Sequence, residues 1–150
     1  MAKQFRFPLE KVLNYKKKIE DIKAEELNHS REKKKYEEEK LENIEKKKQN
    51  ILIGDDSRKK MTLNQLNIST DYILQLNDQI EKGENRVLDA DTEVEENLDH
   101  LNEASRDKKA VEKLRERKFS EHRVLEKRVE RKQTDEIANR VNLTKGDNKS

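Results

Sequence analysis

Leu66, Ile73, Ile80, Val87, Val94 and Leu101 fall at intervals of seven, an unbroken row of apolar side chains. Seven residues make close to two turns of α-helix, so the row lines one helix face and needs a partner to cover it. A second row, three residues further on, reads Ser69, Leu76, Gly83, Ala90, Asn97 and Ala104. Large side chains on one row and mostly small ones on the other predict two helices in close approach, rather than a leucine zipper. Gly83 costs about 1 kcal/mol of helix stability relative to Ala, so it marks either a kink or a close contact. Further on the seam shifts through Val111, Leu114, Leu125 and Val129, which are expected to pack on the first helix.

That first helix opens at Pro8, the single proline, whose missing N–H costs nothing in a first turn. Val12, Tyr15, Ile19 and Ile22 continue it, and Leu27, Leu41, Ile44 and Ile51 resume it in a shifted register. Between them NHSREKKKYEEEK offers only Tyr36, and the seam is weak there. The helix is expected over about 8–53, a length of about 70 Å at 1.5 Å per residue. Gly54 suits a C-cap, and Asp55, Asp56 or Ser57 suits the N-cap of the next helix. The expected fold is therefore all-α: an elongated antiparallel two-helix coiled coil, a helical hairpin filling 1–150 as a single domain. Its turn falls at about 54–60, its second helix at about 61–141, and 142–150 is expected to be a disordered tail. The unequal helix lengths leave either an overhang or a separate short helix at the turn.

Composition agrees with this reading and narrows function. Ala, Glu, Lys, Leu and Arg make up about half of the chain, as in long helices and coiled coils. Disorder is disfavoured, because Leu, Ile, Val and Phe exceed one fifth of the residues and the net charge is only +2. At 30% hydrophobic residues there is too little apolar material to wrap a deep catalytic pocket. Without cysteine there is no disulfide and no thiolate metal site. His29, His100 and His122 are far apart and lack metal-ligand spacing, and no glycine loop could cradle a phosphate. The longest aliphatic run, Ile51-Leu52-Ile53, is far short of a membrane span. The expectation is a cytoplasmic protein that is not an enzyme and carries no cofactor or metal.

The informative signal is where the charges sit. Residues 81–103 hold nine acids against two bases, residues 106–132 twelve bases against six acids, and residues 1–23 seven bases against three acids. An antiparallel hairpin would join both basic segments at one end. A basic end seeks an acidic partner, which could be a protein ring, a nucleic acid or an anionic membrane. Nucleic acid is the weaker option, since Glu recurs at nearly every turn and aromatics for base stacking are almost missing.

Two stretches carry a family resemblance. FRFPLEKVLNYKKK resembles the opening of the bacterial flagellar export protein family FliJ: Phe5 and Phe7 precede Leu9, Glu10, Val12 and Leu13. The segment AVEKLRERKFSEHRVLEKRVERKQTDEIANR is similar to that family's C-terminal helix and ends in Asp135-Glu136-Ile137-Ala138. The resemblance implies a coiled-coil component of the flagellar type III export apparatus, similar to the central stalk, or gamma subunit, of rotary ATPases. It further implies insertion into the hexameric export ATPase, promotion of that enzyme's assembly and activity, and contact with the membrane export gate protein. Export chaperones are further implied partners, and the implied location is the inner face of the cell membrane at the flagellar base. Carried over onto this chain, the ring-facing residues are Lys11, Lys16, Arg115, Arg117, Arg123, Arg128 and Arg131. The gate-facing pair is Tyr72 and Leu76, an aromatic and a leucine on one helix face. The alternative reading is a basic-tipped coiled coil that binds nucleic acid or an anionic surface.

Overall fold

The computed structural model describes residues 3–53 and 62–147. Two long helices pack against each other as a helical hairpin: α1 (Glu10–Ile53) and α2 (Leu63–Asp147). No strand occurs among the described residues. Packing gathers the chain into two compact units, one made of Met1–Ile19 with Ser105–Ser150 and the other of Glu20–Ala104.

Within the Glu20–Ala104 unit the helices run antiparallel. Lys33 pairs with Glu93 at 2.9 Å and Lys34 with Asp91 at 2.7 Å. Further along α1, Leu41 lies against Gly83. In the other direction, the Asn97 amide reaches the Glu26 carbonyl at 3.5 Å. Each advance along α1 is thus a retreat along α2. The deepest residues of α2 are Leu76, Gly83, Ala90 and Ala104, the small row. The large row, Ile73 to Leu101, flanks it half-buried, while Leu66 at its start is exposed. A Cβ on Gly83 would stand 3.0 Å from Leu41 Cδ1, so Gly83 is a close contact.

The seam of α1 differs from expectation. Tyr15, Ile22 and Tyr36 are exposed, and Leu13, Leu27 and Ser30 are buried. Around them the half-buried positions are Glu10, Lys16, Ile19, Glu20, Lys23, Ala24, Lys34, Glu37, Leu41, Ile44, Lys48 and Ile51. Leucine returns every fourteen residues, at Leu13, Leu27 and Leu41, with Glu20, Lys34 and Lys48 midway. Lys34 and Lys48 suit such a seam because long side chains lay their methylenes on the neighbour and send their charge outward, whereas the Glu20 Oε2 atom is buried. Ser30 Oγ, fully buried, donates to the Leu27 carbonyl at 2.8 Å, so no polar atom is stranded there.

The helix ends also differ from expectation. Thr62 caps α2: Gln65 N–H donates to Thr62 Oγ1 at 3.4 Å, and Thr62 N–H donates to Gln65 Oε1 at 3.2 Å. That reciprocal pair is a capping box, and it fixes the start of the helix downstream of Asp55, Asp56 and Ser57. Those residues, the proposed Gly54 cap and the turn over 54–60 lie outside the described residues. The stretch 63–70 belongs to α2 itself and is not a separate short helix. At the other end, residues 142–147 are helical, not tail. Thr144 Oγ1 there donates to the Arg140 and Val141 carbonyls, and Lys145 faces the negative end of the helix dipole.

Candidate functional site: the unit that joins both chain ends

In the unit built from Met1–Ile19 and Ser105–Ser150, the N-terminal segment lies along α2. The Phe5 and Phe119 rings meet edge to face with centroids 5.2 Å apart, and Phe5 lies 5.5 Å from the His122 ring. This geometry sets a ring's positive edge against its neighbour's negative face. Phe7 and Leu13 are buried beneath, Leu13 at 1% exposure. Glu10 N–H donates to the Phe7 carbonyl at 3.2 Å, turning the segment into α1.

Ion pairs tie the two helices within this unit. Arg115 Nε meets Glu10 Oε2 at 3.2 Å, and Lys16 Nζ meets Asp107 Oδ2 at 3.7 Å. The Arg123 guanidinium stands 5.9 Å from the Phe119 ring centre, within cation–π range. His122 Nδ1 lies 3.7 Å from Glu126 Oε1, one turn along α2. A groove of about 400 Å³ opens between Phe5, Leu13 and Lys17 on one side and Glu112, Arg115, Glu116 and Phe119 on the other. It is amphipathic and shallow, a shape suited to a partner's side chain more than to an enclosed substrate.

The seven expected ring-facing residues fall into three groups. Lys16 and Arg115 are engaged in ion pairs between the helices. Arg123 covers an aromatic ring. Lys11, Arg117, Arg128 and Arg131 are exposed, and none of them makes an ion pair among the described residues. Leu125 and Val129, expected to pack on the first helix, are instead 58% and 54% exposed. The reason is register: Phe5 already lies beside Phe119, so little chain remains to cover later residues. Every residue from 127 to 147 is exposed. In the other unit, Leu76 is 2% exposed on the seam and Tyr72 is 44% exposed.

Sequence reasoning missed Phe119, His122, Asp107 and the pairing role of Glu10. Phe119 had a signal, as the lone aromatic ring among the charges of residues 110–140. Among the described residues no group of His, Asp and Glu is arranged to hold a metal ion.

The pattern of the flagellar FliJ protein family matches residues 5–146. The chain belongs to the FliJ family. No curated protein and no solved structure matches it. Membership makes it a component of the flagellar export apparatus, in a family of structural parts rather than enzymes. The matched span includes both Phe5 and Phe119, so the aromatic contact lies within the FliJ pattern. Among the described residues no helix is long and apolar enough to cross a membrane.

Proposed function

We propose that this FliJ-family chain is the stalk-like partner of the hexameric flagellar export ATPase, and that the unit joining its two termini is the part that enters the ring. The observation that carries this reading is the clasp of Phe5 on Phe119 and His122, which unites the N-terminal segment with α2 beside exposed cations. Arg117, Arg128, Arg131 and Lys11 supply charge that no ion pair among the described residues neutralises, while Lys16 and Arg115 hold the helices together. Such a unit can offer positive charge to a ring without reorganising its own packing. The same chain would link the ATPase to the membrane export gate through α2, with Tyr72 as the accessible member of the Tyr72–Leu76 pair. Leu76 is buried in the helix interface. Escort of export chaperones belongs to the same reading.

The test is addition of the purified chain to the cognate export ATPase, with hydrolysis and hexamer formation as readouts. The wild-type chain should raise both. A variant carrying Arg117→Glu, Arg123→Glu and Arg128→Glu should lose most of the stimulation while keeping its helical circular dichroism. Stimulation that survives these reversals would sink the ring assignment. Tight binding of a random DNA duplex at moderate salt would instead favour an anionic-polymer partner.

A further inference from the structure

Charge disappears from both helices toward the end of the Glu20–Ala104 unit where α1 stops and α2 starts. The last charged residue of α1 is Lys48, followed by Gln49, Asn50, Ile51, Leu52 and Ile53. The first charged residue of α2 is Asp71, preceded by LNQLNIST from Leu63. In a chain that is 45% charged, two uncharged stretches thus meet at one end. Apolar side chains stand there uncovered: Leu52, Ile53, Leu63, Leu66 and Ile68 are all more than half exposed, Ile53 at 82%. Counted outward from the Leu41–Gly83 contact, Ile53 comes level with about residue 71, so about two turns of α2 extend past the end of α1. Every residue from Thr62 to Ile68 is exposed.

An uncovered apolar patch marks a contact with a protein or a membrane, and the arrangement of these side chains selects between the two. At about 100° per residue, Ile68 lies about 160° around α2 from Leu66 and about 140° from Leu63. A helix docked in a protein groove offers one apolar face, with anchors at i, i+3, i+4 and i+7. Side chains on opposite sides of a helix are covered together by a fluid that surrounds it, as hydrocarbon does. Asn64, Gln65 and Asn67 alternate with them, neutral polar groups suited to the shallow boundary between headgroups and acyl chains. The capping box of Thr62 and Gln65 satisfies two backbone N–H groups at this helix end, which lowers the cost of taking it out of water. About one turn before Leu52 and Ile53, Lys47 and Lys48 make no ion pair among the described residues. Cations at that height attract anionic headgroups. Residues 54–61 add three bases and two acids and do not oppose that attraction.

We propose that this end of the hairpin binds the interfacial layer of an anionic lipid bilayer, with Leu52, Ile53, Leu63, Leu66 and Ile68 entering it and Lys47 and Lys48 on its headgroups. The contact is peripheral, since no helix among the described residues is long and apolar enough to cross a membrane. It uses none of the ring-facing cations and needs no ATPase; it stands or falls separately from the proposed function.

The test is flotation of the full chain with vesicles of phosphatidylethanolamine and phosphatidylglycerol, and with vesicles of phosphatidylcholine alone. Most of the wild-type chain should float with the anionic vesicles and little with the neutral ones. Leu63→Gln/Leu66→Gln/Ile68→Gln, at three exposed positions, should bind the anionic vesicles at least about tenfold more weakly, with unchanged helical circular dichroism. The chain has no Trp, so Leu66→Trp is a unique reporter. Its emission should shift to the blue on anionic vesicles and be quenched by brominated acyl chains, whereas Leu125→Trp should show neither change. A wild-type chain that stays out of the floated fraction overturns the proposal and leaves these side chains to a protein partner. Binding that survives the glutamine variant overturns it too, because adsorption through the cations near the termini is then sufficient. So does a Leu66→Trp signal that the vesicles leave unchanged.

Discussion

Gly83 shows how one residue sets the distance between two helices. Leu41 Cδ1 lies where a Cβ would come within 3.0 Å, and that methyl is the free end of a flexible side chain. Ala at this position gains about 1 kcal/mol of helix propensity and loses part of it in moving Leu41. Gly83→Ala is therefore expected to change unfolding stability by no more than about 1 kcal/mol. Gly83→Leu, which must push the helices apart, should cost about 1–3 kcal/mol; urea unfolding of both variants checks the contrast. Lys34 acts by charge instead. Its hydrogen bond to Asp91 raises its pKa above the ordinary 10.5, against a smaller opposing effect of burial; Lys33 is raised likewise through Glu93. The folded chain holds these protons more tightly than the unfolded one. Their stabilisation is complete below the unfolded value and fades as pH climbs through the raised one. Thermal midpoints measured from about pH 9 to pH 12 should fall, and Lys34→Gln should lessen the fall.

At the scale of the element, α2 is held very unevenly. Its stretch from Leu76 to Ala104 is packed through the small row, whereas residues 127–147 touch solvent on every side. A helix without a packed face keeps only the weak stability of its propensities and local side-chain bonds. Amide hydrogen exchange should therefore be fast over 131–145 and slowest around Leu76, Gly83 and Ala90. Equal protection along the whole helix would contradict the packing described. Much of this element was legible beforehand. The small row emerged from heptad spacing, and Thr62-x-x-Gln65 was present as a capping signature, though Asp and Ser nearby drew the assignment upstream. The seam of α1 was not legible in the same way. Hydrophobic periodicity looks for apolar residues, and this seam passes through Glu20, Lys34 and Lys48, while Tyr15 and Tyr36 face water.

For the molecule as a whole, the hairpin was legible in helix length and the break near Gly54, and the grouping of the N-terminal segment with the basic part of α2 in the charge distribution. The detail of the terminal unit was not. Which cations are engaged and which are free depends on the register of α1 against α2, and that register is visible only in pairs such as Glu10–Arg115 and Lys16–Asp107. Sequence spacing could put Arg115 and Arg117 in one basic cluster, but only packing shows that the first is engaged with Glu10 while the second is exposed.

The Phe5–Phe119 contact has a consequence for how the chain is made. Contacts such as Leu41 with Gly83 join residues closer in sequence than Phe5 and Phe119 and carry a smaller loop-closure cost, so they can form earlier. Phe5 has no such ring to meet until Phe119 has been synthesised and cleared the exit tunnel. The unit proposed to engage the ATPase is thus completed only after Phe119 has been made, and a nascent chain truncated before it cannot present that unit.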